Sequence, residues 1–198
     1  LSVCARSEGV SAHGFAVLAM GKLGGGELNY SSDVDLVFVA ERTNDARIRL
    51  AQAVVDGLAR PTAEGHLYRV DLRLRPWGRT GSLVAGVEGY IEYLRSNARP
   101  WERQALLRAR AVAGDQALGE GFLRAARPLL FGASQHAVRR QVADAKRHID
   151  DGLRARGRDW GEVKSGAGSI RDVEFLVQYL QLAHGATRPD VLTPNTPE

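Results

Sequence analysis

Two short stretches of the chain are apolar over almost their whole length. They are residues 15–20, FAVLAM, and residues 34–39, VDLVFV. Apolar runs of this length predict strands that are buried on both faces. A third segment, residues 67–75, alternates between apolar and charged positions, which predicts a strand with one exposed face. Its apolar face comprises Tyr68, Val70, Leu72 and Leu74, and its charged face comprises Arg69, Asp71, Arg73 and Arg75.

Helical spacing prevails along much of the remaining chain. Apolar residues recur every three or four positions in residues 45–60, 87–94, 116–130, 135–156 and the stretch after Ser169. This period is typical of amphipathic helices. Pro61 ends the first of them, and Ser169 is a favourable N-cap for the last. The sequence therefore predicts five helices.

The connections and the domain plan follow from these elements. Glycine-rich residues 21–26 are predicted as a turn or loop, and residues 77–81 as a turn. After the third strand, one further strand is predicted, a short one within residues 106–112. We therefore expect an α+β fold with a mixed domain over residues 1–112 and a helical region over residues 113–198.

The composition narrows the class of protein. Of 198 residues, 25% are charged and 44% hydrophobic, which argues against a disordered or fibrous chain. No apolar run approaches the roughly 20 residues that span a bilayer, and residues 1–10 lack the plan of a signal peptide. With Cys4 as the single cysteine, an internal disulfide and a cysteine-cluster zinc site are excluded. We expect a cytoplasmic protein with no membrane partner, and a fragment of a longer chain, because it lacks an initial Met.

The positive charge is carried mainly by arginine. The formal net charge is +4, with 24 arginines and three lysines. Arginine binds phosphate and carboxylate groups in a forked geometry, so an anionic ligand is one explanation and codon bias is another. The chain has no aromatic–basic motif and no helix-turn-helix pattern. We therefore expect no nucleic-acid partner.

Asp33 and Asp35 open the second predicted strand. A period of two places both carboxylates on one face, where they repel each other unless a cation lies between them. Oxygen ligands of this kind suit Mg²⁺ or Mn²⁺. The alternative is a pair of solvated acids at a strand end.

The residues before Asp33 could form a phosphate site. A glycine-rich segment is followed by Ser31 and Ser32, and exposed amides and small hydroxyls suit phosphate oxygens. The segment matches neither the Walker A motif nor the dinucleotide fingerprint. A plain tight turn is the alternative explanation.

Asp71 stands in a row of arginines on the third predicted strand. It lies between Arg69 and Arg73, with Arg75 two residues further on. One interpretation is a ladder of surface ion pairs, which contribute little to stability. The other is a third metal ligand beside guanidinium groups that bind phosphate, as in two-metal phosphoryl transfer.

Several separated motifs, in order, resemble the bifunctional glutamine synthetase adenylyltransferase/adenylyl-removing enzyme family. They are residues 21–25, 27–36, 69–76, 100–110, 113–115, 164–178 and 195–196. This family belongs to the DNA polymerase beta-like nucleotidyltransferases. The resemblance implies that fold, a small mixed sheet with helices, followed by a helical extension. It also implies two Mg²⁺ ions, with Mn²⁺ as an alternative, held by Asp33, Asp35 and Asp71 as the catalytic residues.

The resemblance further implies the ligands and partners. Residues implied to contact nucleotide or phosphate are Gly24, Gly25, Ser31, Ser32, Lys22, Arg73 and Arg75. The small ligands are ATP, ADP and inorganic phosphate, and the protein substrate is glutamine synthetase. In the family's full-length enzyme, a PII-type signalling protein is a further partner.

The family's enzyme has two related halves with opposite reactions. The C-terminal half transfers AMP from ATP to a tyrosine of glutamine synthetase, whereas the N-terminal half removes it with phosphate and releases ADP. Met20, Asn29 and Arg103 match the N-terminal pattern, while Asp172 matches the other. We therefore expect the adenylyl-removing half, with the adenylyltransferase half as the alternative.

Overall fold

A computed structural model describes residues 1–63, 65, 67–131, 134–157, 166 and 168–193. The helices in this part of the chain are α1 (Ser2–Ser7), α2 (Gly21–Gly24), α3 (Asp45–Ala59), α4 (Val87–Ser96), α5 (Pro100–Ala105), α6 (Gln116–Leu130), α7 (Gln135–Arg154) and α8 (Ile170–His184). The strands are β1 (Phe15–Ala19), β2 (Val34–Ala40), β3 (Val70–Asp71), β4 (Val84–Gly86) and β5 (Arg110–Gly114). An α+β class with a small mixed sheet is thereby confirmed.

The five strands form one sheet in the order β3-β2-β1-β5, and β4 also pairs with β2. β1 is antiparallel to β2 and to β5, whereas β3 and β4 are both parallel to β2. β3 pairs with the first two residues of β2 and β4 with the last three. The two parallel strands therefore share one edge of β2 at its opposite ends.

One face of the sheet carries the main apolar core of this region. Phe15 and Val17 of β1 and Leu36 and Phe38 of β2 pack there against Leu50 of α3. Alternation along β2 sends the side chain of every second residue to the opposite face. Residue 35 therefore points away from the core that α3 covers.

The periodicity of apolar residues predicted most of the helices and strands correctly. The predicted helices all form, and α3 begins where the Asn44 side chain accepts from the Arg47 amide at 2.9 Å. Residues 21–26 were predicted as a turn or loop, and this prediction was wrong in part, since Gly21–Gly24 form one helical turn. α1, α5 and β4 were not predicted.

The long third strand was wrong in extent. Only Val70–Asp71 pair as a strand, because the Asp71 Oδ1 atom accepts from the Arg73 backbone amide at 2.9 Å. That side-chain bond closes a local turn and ends the ladder. Apolar and charged residues therefore alternate over residues 67–75 although these residues do not form a nine-residue strand.

The chain divides into two compact units. The first comprises Leu1–Ala98 and Arg108–Leu129, and the second comprises Arg99–Leu107 and the described residues from Leu130 onward. In the second unit, α8 packs against α7, and the Gln104 side-chain amide donates to that of Gln178. In the described part of the chain, no helix combines the length and the apolar character needed to span a membrane.

Candidate active site

Three aspartates lie near the start of β2. Asp35 and Asp71 are register partners on the parallel strands β2 and β3, so their Cα atoms are about 5 Å apart and their side chains share a face. Asp33 lies two residues before Asp35, directly before the strand begins, and its charge also acts on Arg73. Parallel pairing of β2 with β3 thus brings together carboxylates that are up to 38 residues apart in sequence.

Arg73 is the cation that all three carboxylates attract. Its Nε atom donates to Asp71 Oδ2 at 2.8 Å and to Oδ1 at 3.0 Å, and its Nη2 atom also donates to Asp71. These hydrogen bonds hold the pKa of the Asp71 carboxyl below its usual range. The pKa of Arg73 is raised, first by Asp71 and also by the charges of Asp35 and Asp33. The Arg73 guanidinium therefore lies within the field of all three carboxylates.

Asp33 has a second arginine partner. The Nε atom of Arg69 donates to Asp33 Oδ1 at 2.6 Å, and its Nη2 atom donates to the Ser31 carbonyl at 2.7 Å. Both side chains of the pair remain half exposed, so this ion pair contributes little net stability. Its effect is to orient the carboxylate and the loop before it.

The acidic group fits a divalent metal in charge and donor chemistry. Carboxylate oxygens are the ligands that Mg²⁺ and Mn²⁺ prefer. The aspartates already bind two guanidinium groups, which shows that their negative charge attracts cations. Among the described residues, no three His, Cys, Asp or Glu side chains are grouped closely enough to hold an ion together. Asp33 and Asp71 are turned toward Arg69 and Arg73 instead. Metal binding therefore requires these two side chains to rotate.

Gly21 leaves the space that Asp35 occupies. It has a φ of +53°, and a Cβ added there would collide with the Asp35 carboxylate. The Met20 amide donates to the Asp35 carbonyl at 2.9 Å. The start of α2 is therefore fitted closely around the central aspartate, and only glycine satisfies both the backbone conformation and the space.

Gly24 and Gly25 are buried at the end of the turn. Their amides donate to the carbonyls of Met20 and Gly21 at 2.9 and 3.1 Å. A Cβ on Gly24 would collide with the backbone carbonyl of Arg108. Of these two predicted phosphate-contact residues, Gly24 therefore packs α2 against the chain that enters β5.

The loop after α2 is held by a polar network. With its amide oriented to satisfy both groups, Asn29 donates to the Glu27 carbonyl at 3.0 Å and accepts from Lys22 Nζ at 3.2 Å. The Glu27 carboxylate lies 3.1 Å from Nη1 of Arg108, whose side chain is only 6% exposed. Arg110 donates to the carbonyls of Leu23 and Gly24 at 3.2 and 3.3 Å. Two arginines at the start of β5 thus fix the loop that leads to Asp33.

Ser31 and Ser32 lie at the end of this loop beside an open cleft. Ser31 has a φ of 59°, a left-handed conformation that is uncommon for serine and typical of functional sites. The cleft has a volume of about 740 Å³ and lies between residues 28–32 and 67–69. Tyr30 and Tyr68 line it, and sequence reasoning missed both. The available signal was an aromatic residue inside a polar loop next to the acidic group.

Arg75 is placed apart from the other predicted phosphate contacts. Its guanidinium donates to the carbonyls of Leu72, Arg79 and Gly81 at 2.9, 3.1 and 3.2 Å. Burial lowers the pKa of this arginine. The side chain closes the turn that follows β3, whereas Arg73 faces the acidic group.

Gly166 and Gly168 lie in a second glycine-rich segment, directly before α8. There the Gly168 amide donates to Asp172 Oδ2 at 2.7 Å, and the pKa of Asp172 is lowered, first by its hydrogen bond from Lys146. Lys146 Nζ also donates to the Gly166 carbonyl at 3.2 Å. The anion at this helix terminus is therefore the chain's own carboxylate. Lys164 and Asn195–Thr196 of the sequence motifs lie outside the described residues.

Comparison with known proteins defines the family. A family model described as glutamate-ammonia ligase adenylyltransferase matches residues 3–125, and one described as GlnD PII-uridylyltransferase matches residues 136–196. Two similar relatives are bifunctional glutamine synthetase adenylyltransferase/adenylyl-removing enzymes of Mycobacterium marinum (strain ATCC BAA-535 / M) and Mycobacterium leprae (strain TN). Each is 45% identical over 173 residues, or 86% of this chain.

The first of these matches places the chain in an adenylyltransferase-type class of enzymes. The matched residues include the whole sheet and the three aspartates. The chain belongs to the glutamate-ammonia ligase adenylyltransferase family. It spans 17% and 16% of the length of the two mycobacterial relatives.

Proposed function

We propose that the chain catalyses phosphorolytic removal of AMP from an adenylylated tyrosine of glutamine synthetase. One observation carries the proposal: parallel register pairs Asp35 with Asp71, and the charge of Asp33 acts on the same arginine, Arg73, in a chain of this family. The fold we propose is that of the DNA polymerase beta-like nucleotidyltransferases. A PII-type signalling protein is the further partner proposed for a longer enzyme that contains this unit.

The acidic group would hold two Mg²⁺ ions, with Mn²⁺ as the alternative. Asp33 and Asp35 would contact both ions and Asp71 one of them. When bound, the ions supply charge neutralisation at the phosphoryl group and at the attacking and leaving oxygens. Release of Asp71 from Arg73 frees that guanidinium for a phosphate oxygen, which is the role proposed for Arg73.

The reaction needs positioning more than proton transfer. An oxygen of inorganic phosphate forms a bond to the AMP phosphorus while the bond to the tyrosyl oxygen breaks, giving ADP and tyrosine. The proton carried by hydrogen phosphate passes to the tyrosyl oxygen, so no protein base is required. Lys22 would bind the attacking phosphate, and Ser31 and Ser32 the AMP phosphate, since a fixed geometry lowers the barrier.

The opposite reaction, transfer of AMP from ATP to the tyrosine, is the second candidate. Asp172 matches the pattern of the transferring half. Its contacts with Lys146 and Gly168 give it a structural explanation within α7 and α8. Asn29, which matches the adenylyl-removing half, belongs to the loop network beside the acidic group. This placement supports the phosphorolytic assignment.

The experiment is an assay of ADP release from adenylylated glutamine synthetase, Mg²⁺ and inorganic phosphate. We expect release by the unmodified chain, a loss of about 100-fold or more in Asp35→Asn, and normal activity in the matched control Asp56→Asn, which changes an exposed carboxylate of α3. Incorporation of AMP from ATP with no phosphorolysis would instead establish the transferring reaction.

A further inference from the structure

Trp77 is an exposed aromatic residue in an unusual backbone conformation. Its side chain is 59% exposed, and its φ of 62° lies in the left-handed region, which a bulky residue rarely adopts. Among the described residues, Ser31 is the other non-glycine residue with a positive φ, and it lies two residues before Asp33. Backbone conformations of this kind are typical of active sites and ligand clamps. Trp77 is therefore a candidate for a ligand contact.

The turn that carries Trp77 is held in place from two sides. Thr80 Oγ1 donates to the Trp77 carbonyl at 2.9 Å, and the Arg75 guanidinium donates to the Arg79 carbonyl at 3.1 Å. The ring of Trp77 meets that of buried Tyr93 in a T-shaped contact, with 4.8 Å between the centroids. The indole is therefore fixed against the protein while much of its surface remains open to a ligand.

Helix α6 covers the face of the sheet that carries the Asp35 side chain. A Cβ on Gly119 of α6 would lie 3.6 Å from the side chain of Leu18 in β1, so Leu18 points toward α6. Leu18 pairs with Val37 of β2, and directly paired residues of neighbouring strands share a face. Alternation gives Asp35 the same face as Val37. The Asp35 carboxylate thus lies on the α6 side of the sheet.

A row of rings connects Trp77 to this side of the sheet. From Tyr93 the row continues to Tyr90, with 6.4 Å between the centroids, and from Tyr90 to Phe122 of α6, with 4.8 Å between them. Tyr90 and Phe122 are buried, so the row has a rigid base. Trp77 is its exposed outer end, on the same side of the sheet as Asp35.

Arg79 places the turn beside the carboxylates. The pKa of Asp71 is lowered first by the hydrogen bond from the Arg73 side chain and also by the charge of Arg79. A Cβ on Gly78 would lie 3.6 Å from the Arg73 carbonyl oxygen, and the Arg79 side chain is exposed. One turn thus presents a cation and an aromatic ring, two residues apart, next to the acidic group.

We propose that Trp77 stacks on the adenine base of the nucleotide and that Arg79 binds one of its phosphate oxygens. The inference rests on the proposed function and extends it to the recognition of the nucleotide. Stacking on an aromatic side chain is a common way to hold a base, and arginine suits phosphate oxygens. A purine nucleotide carries both groups that the turn can recognise.

Position distinguishes Trp77 from another exposed aromatic residue near the acidic group. The Tyr68 amide donates to the Leu58 carbonyl of α3 at 3.0 Å, and α3 covers the face of the sheet opposite to Asp35. Trp77 lies on the Asp35 face and is oriented by Tyr93. A nucleotide whose phosphate lies at the acidic group therefore has Trp77 within its own side of the sheet.

The first test compares the affinities of ADP and pyrophosphate for the 198-residue chain with Mg²⁺, by isothermal titration calorimetry. Trp77→Asn is the main variant, because asparagine tolerates the left-handed backbone. We expect it to weaken ADP binding at least about fivefold and to leave pyrophosphate binding unchanged. Arg79→Gln should weaken both ligands. The control Arg124→Gln, which changes an exposed arginine of α6, should weaken neither.

The second test uses tryptophan fluorescence, since a base stacked on an indole quenches its emission. ADP should quench the emission of the unmodified chain and of Trp101→Phe, which removes another exposed tryptophan. The quenching should disappear in Trp77→Phe, while ADP binding is partly retained there because phenylalanine can still stack.

Four results would overturn the inference. They are no binding of ADP to the unmodified chain, equal losses for ADP and pyrophosphate in Trp77→Asn, quenching that persists in Trp77→Phe, and weaker binding of adenylylated glutamine synthetase in Trp77→Asn without loss for ADP. The last would assign Trp77 to the polypeptide. Neither test needs turnover, so a loss specific to ADP supports the nucleotide site even if phosphorolysis fails. Phosphorolysis with unchanged ADP affinity in Trp77→Asn would support the reaction and reject the stacking.

Discussion

The guanidinium of Arg108, nearly buried, lies 3.1 Å from the carboxylate of Glu27, 81 residues earlier in the chain. This ion pair joins the chain before β5 to the loop before β2. The loop in turn carries Ser31, Ser32 and Asp33, so the pair controls the placement of the candidate site from a distance.

Neutralising Glu27 should destabilise the fold. In Glu27→Gln, the nearly buried Arg108 loses the negative charge of this pair, and we expect a loss of about 3 kcal/mol in the free energy of unfolding. Urea denaturation measures this loss. Glu92→Gln is the matched control, because the exposed Glu92–Arg95 pair should contribute less than about 1 kcal/mol. Equal effects of the two substitutions would contradict the prediction.

A side chain at Gly21 should disturb both backbone and site. Gly21→Ala places a Cβ against the Asp35 carboxylate at a φ of +53°, and the left-handed backbone alone costs about 1–2 kcal/mol. We expect lower stability in urea and weaker Mn²⁺ binding by electron paramagnetic resonance. The control is Gly89→Ala in α4, where no atom lies within 4 Å of the added Cβ. That substitution should be neutral or stabilising by about 0.5–1 kcal/mol, and a comparable loss there would show that the effect at Gly21 is not local.

Asp115 should contribute to stability through two backbone contacts. Its Oδ1 atom accepts from the Leu118 amide at 3.0 Å, which caps α6, and its Oδ2 atom accepts from the Gly14 amide at 2.9 Å. Asp115→Ala should therefore cost about 1–2 kcal/mol, measured by urea denaturation. If Asp115→Ala lowered the free energy of unfolding by less than a substitution at an exposed surface position, the assigned role of Asp115 would be contradicted.

The same residue should make stability depend on pH in the acid range. The Gly14 amide, followed by that of Leu118, lowers the pKa of Asp115 in the folded chain, while the unfolded value is about 4. The contribution is therefore complete above pH 4 and is lost as the pH falls through the folded pKa. Asp115→Asn, which can still cap α6, should show a smaller loss between pH 5 and 2 than the unmodified chain. Asp56→Asn, whose carboxylate accepts from the Gln52 side chain, should keep the original slope.

Metal binding should be visible as stabilisation. Because Mg²⁺ would bind the folded chain alone, a concentration of 100 times its dissociation constant should add about 2.7 kcal/mol. Thermal denaturation after removal of metal with EDTA, with and without Mg²⁺, measures the effect. We expect the shift in Tm to disappear in Asp35→Asn and to persist in Asp56→Asn. A shift that survives in Asp35→Asn would place the binding elsewhere.

Local pattern predicted the elements whose contacts are regular. The apolar runs around Val17 and Val37 gave β1 and β2, and the spacing of Leu50 and Val54 gave α3. The strand after Tyr68 was predicted too long. Alternation does not reveal that the Asp71 side chain accepts a hydrogen bond from the backbone amide of Arg73. The turn α2 was missed because glycine is a poor helix former, and close packing around Gly24 overrides that preference.

The residues of the candidate site could be predicted from the sequence, but their arrangement in space could not. The spacing of Asp33 and Asp35 placed two carboxylates on one face, and the family resemblance favoured Asp71 as a third metal ligand over a member of an ion-pair ladder. The pairing of Asp33 with Arg69 depends on the turn at Ser31, and the register of Asp35 with Asp71 depends on how α3 returns the chain to the sheet. Such long-range contacts leave no trace in local sequence periodicity.

The order in which β2, α3 and β3 follow one another has a consequence for folding. Pairing of β1 with β2 closes a shorter loop than pairing of Asp35 with Asp71, which spans the segment that contains α3, so we expect the second pairing to form later. The growing chain can therefore complete the apolar contacts of β1, β2 and α3 before it must bring three negative charges together. We therefore expect the electrostatic repulsion to arise in a late step of folding, when Arg73 is placed beside the carboxylates together with Asp71 and offsets it.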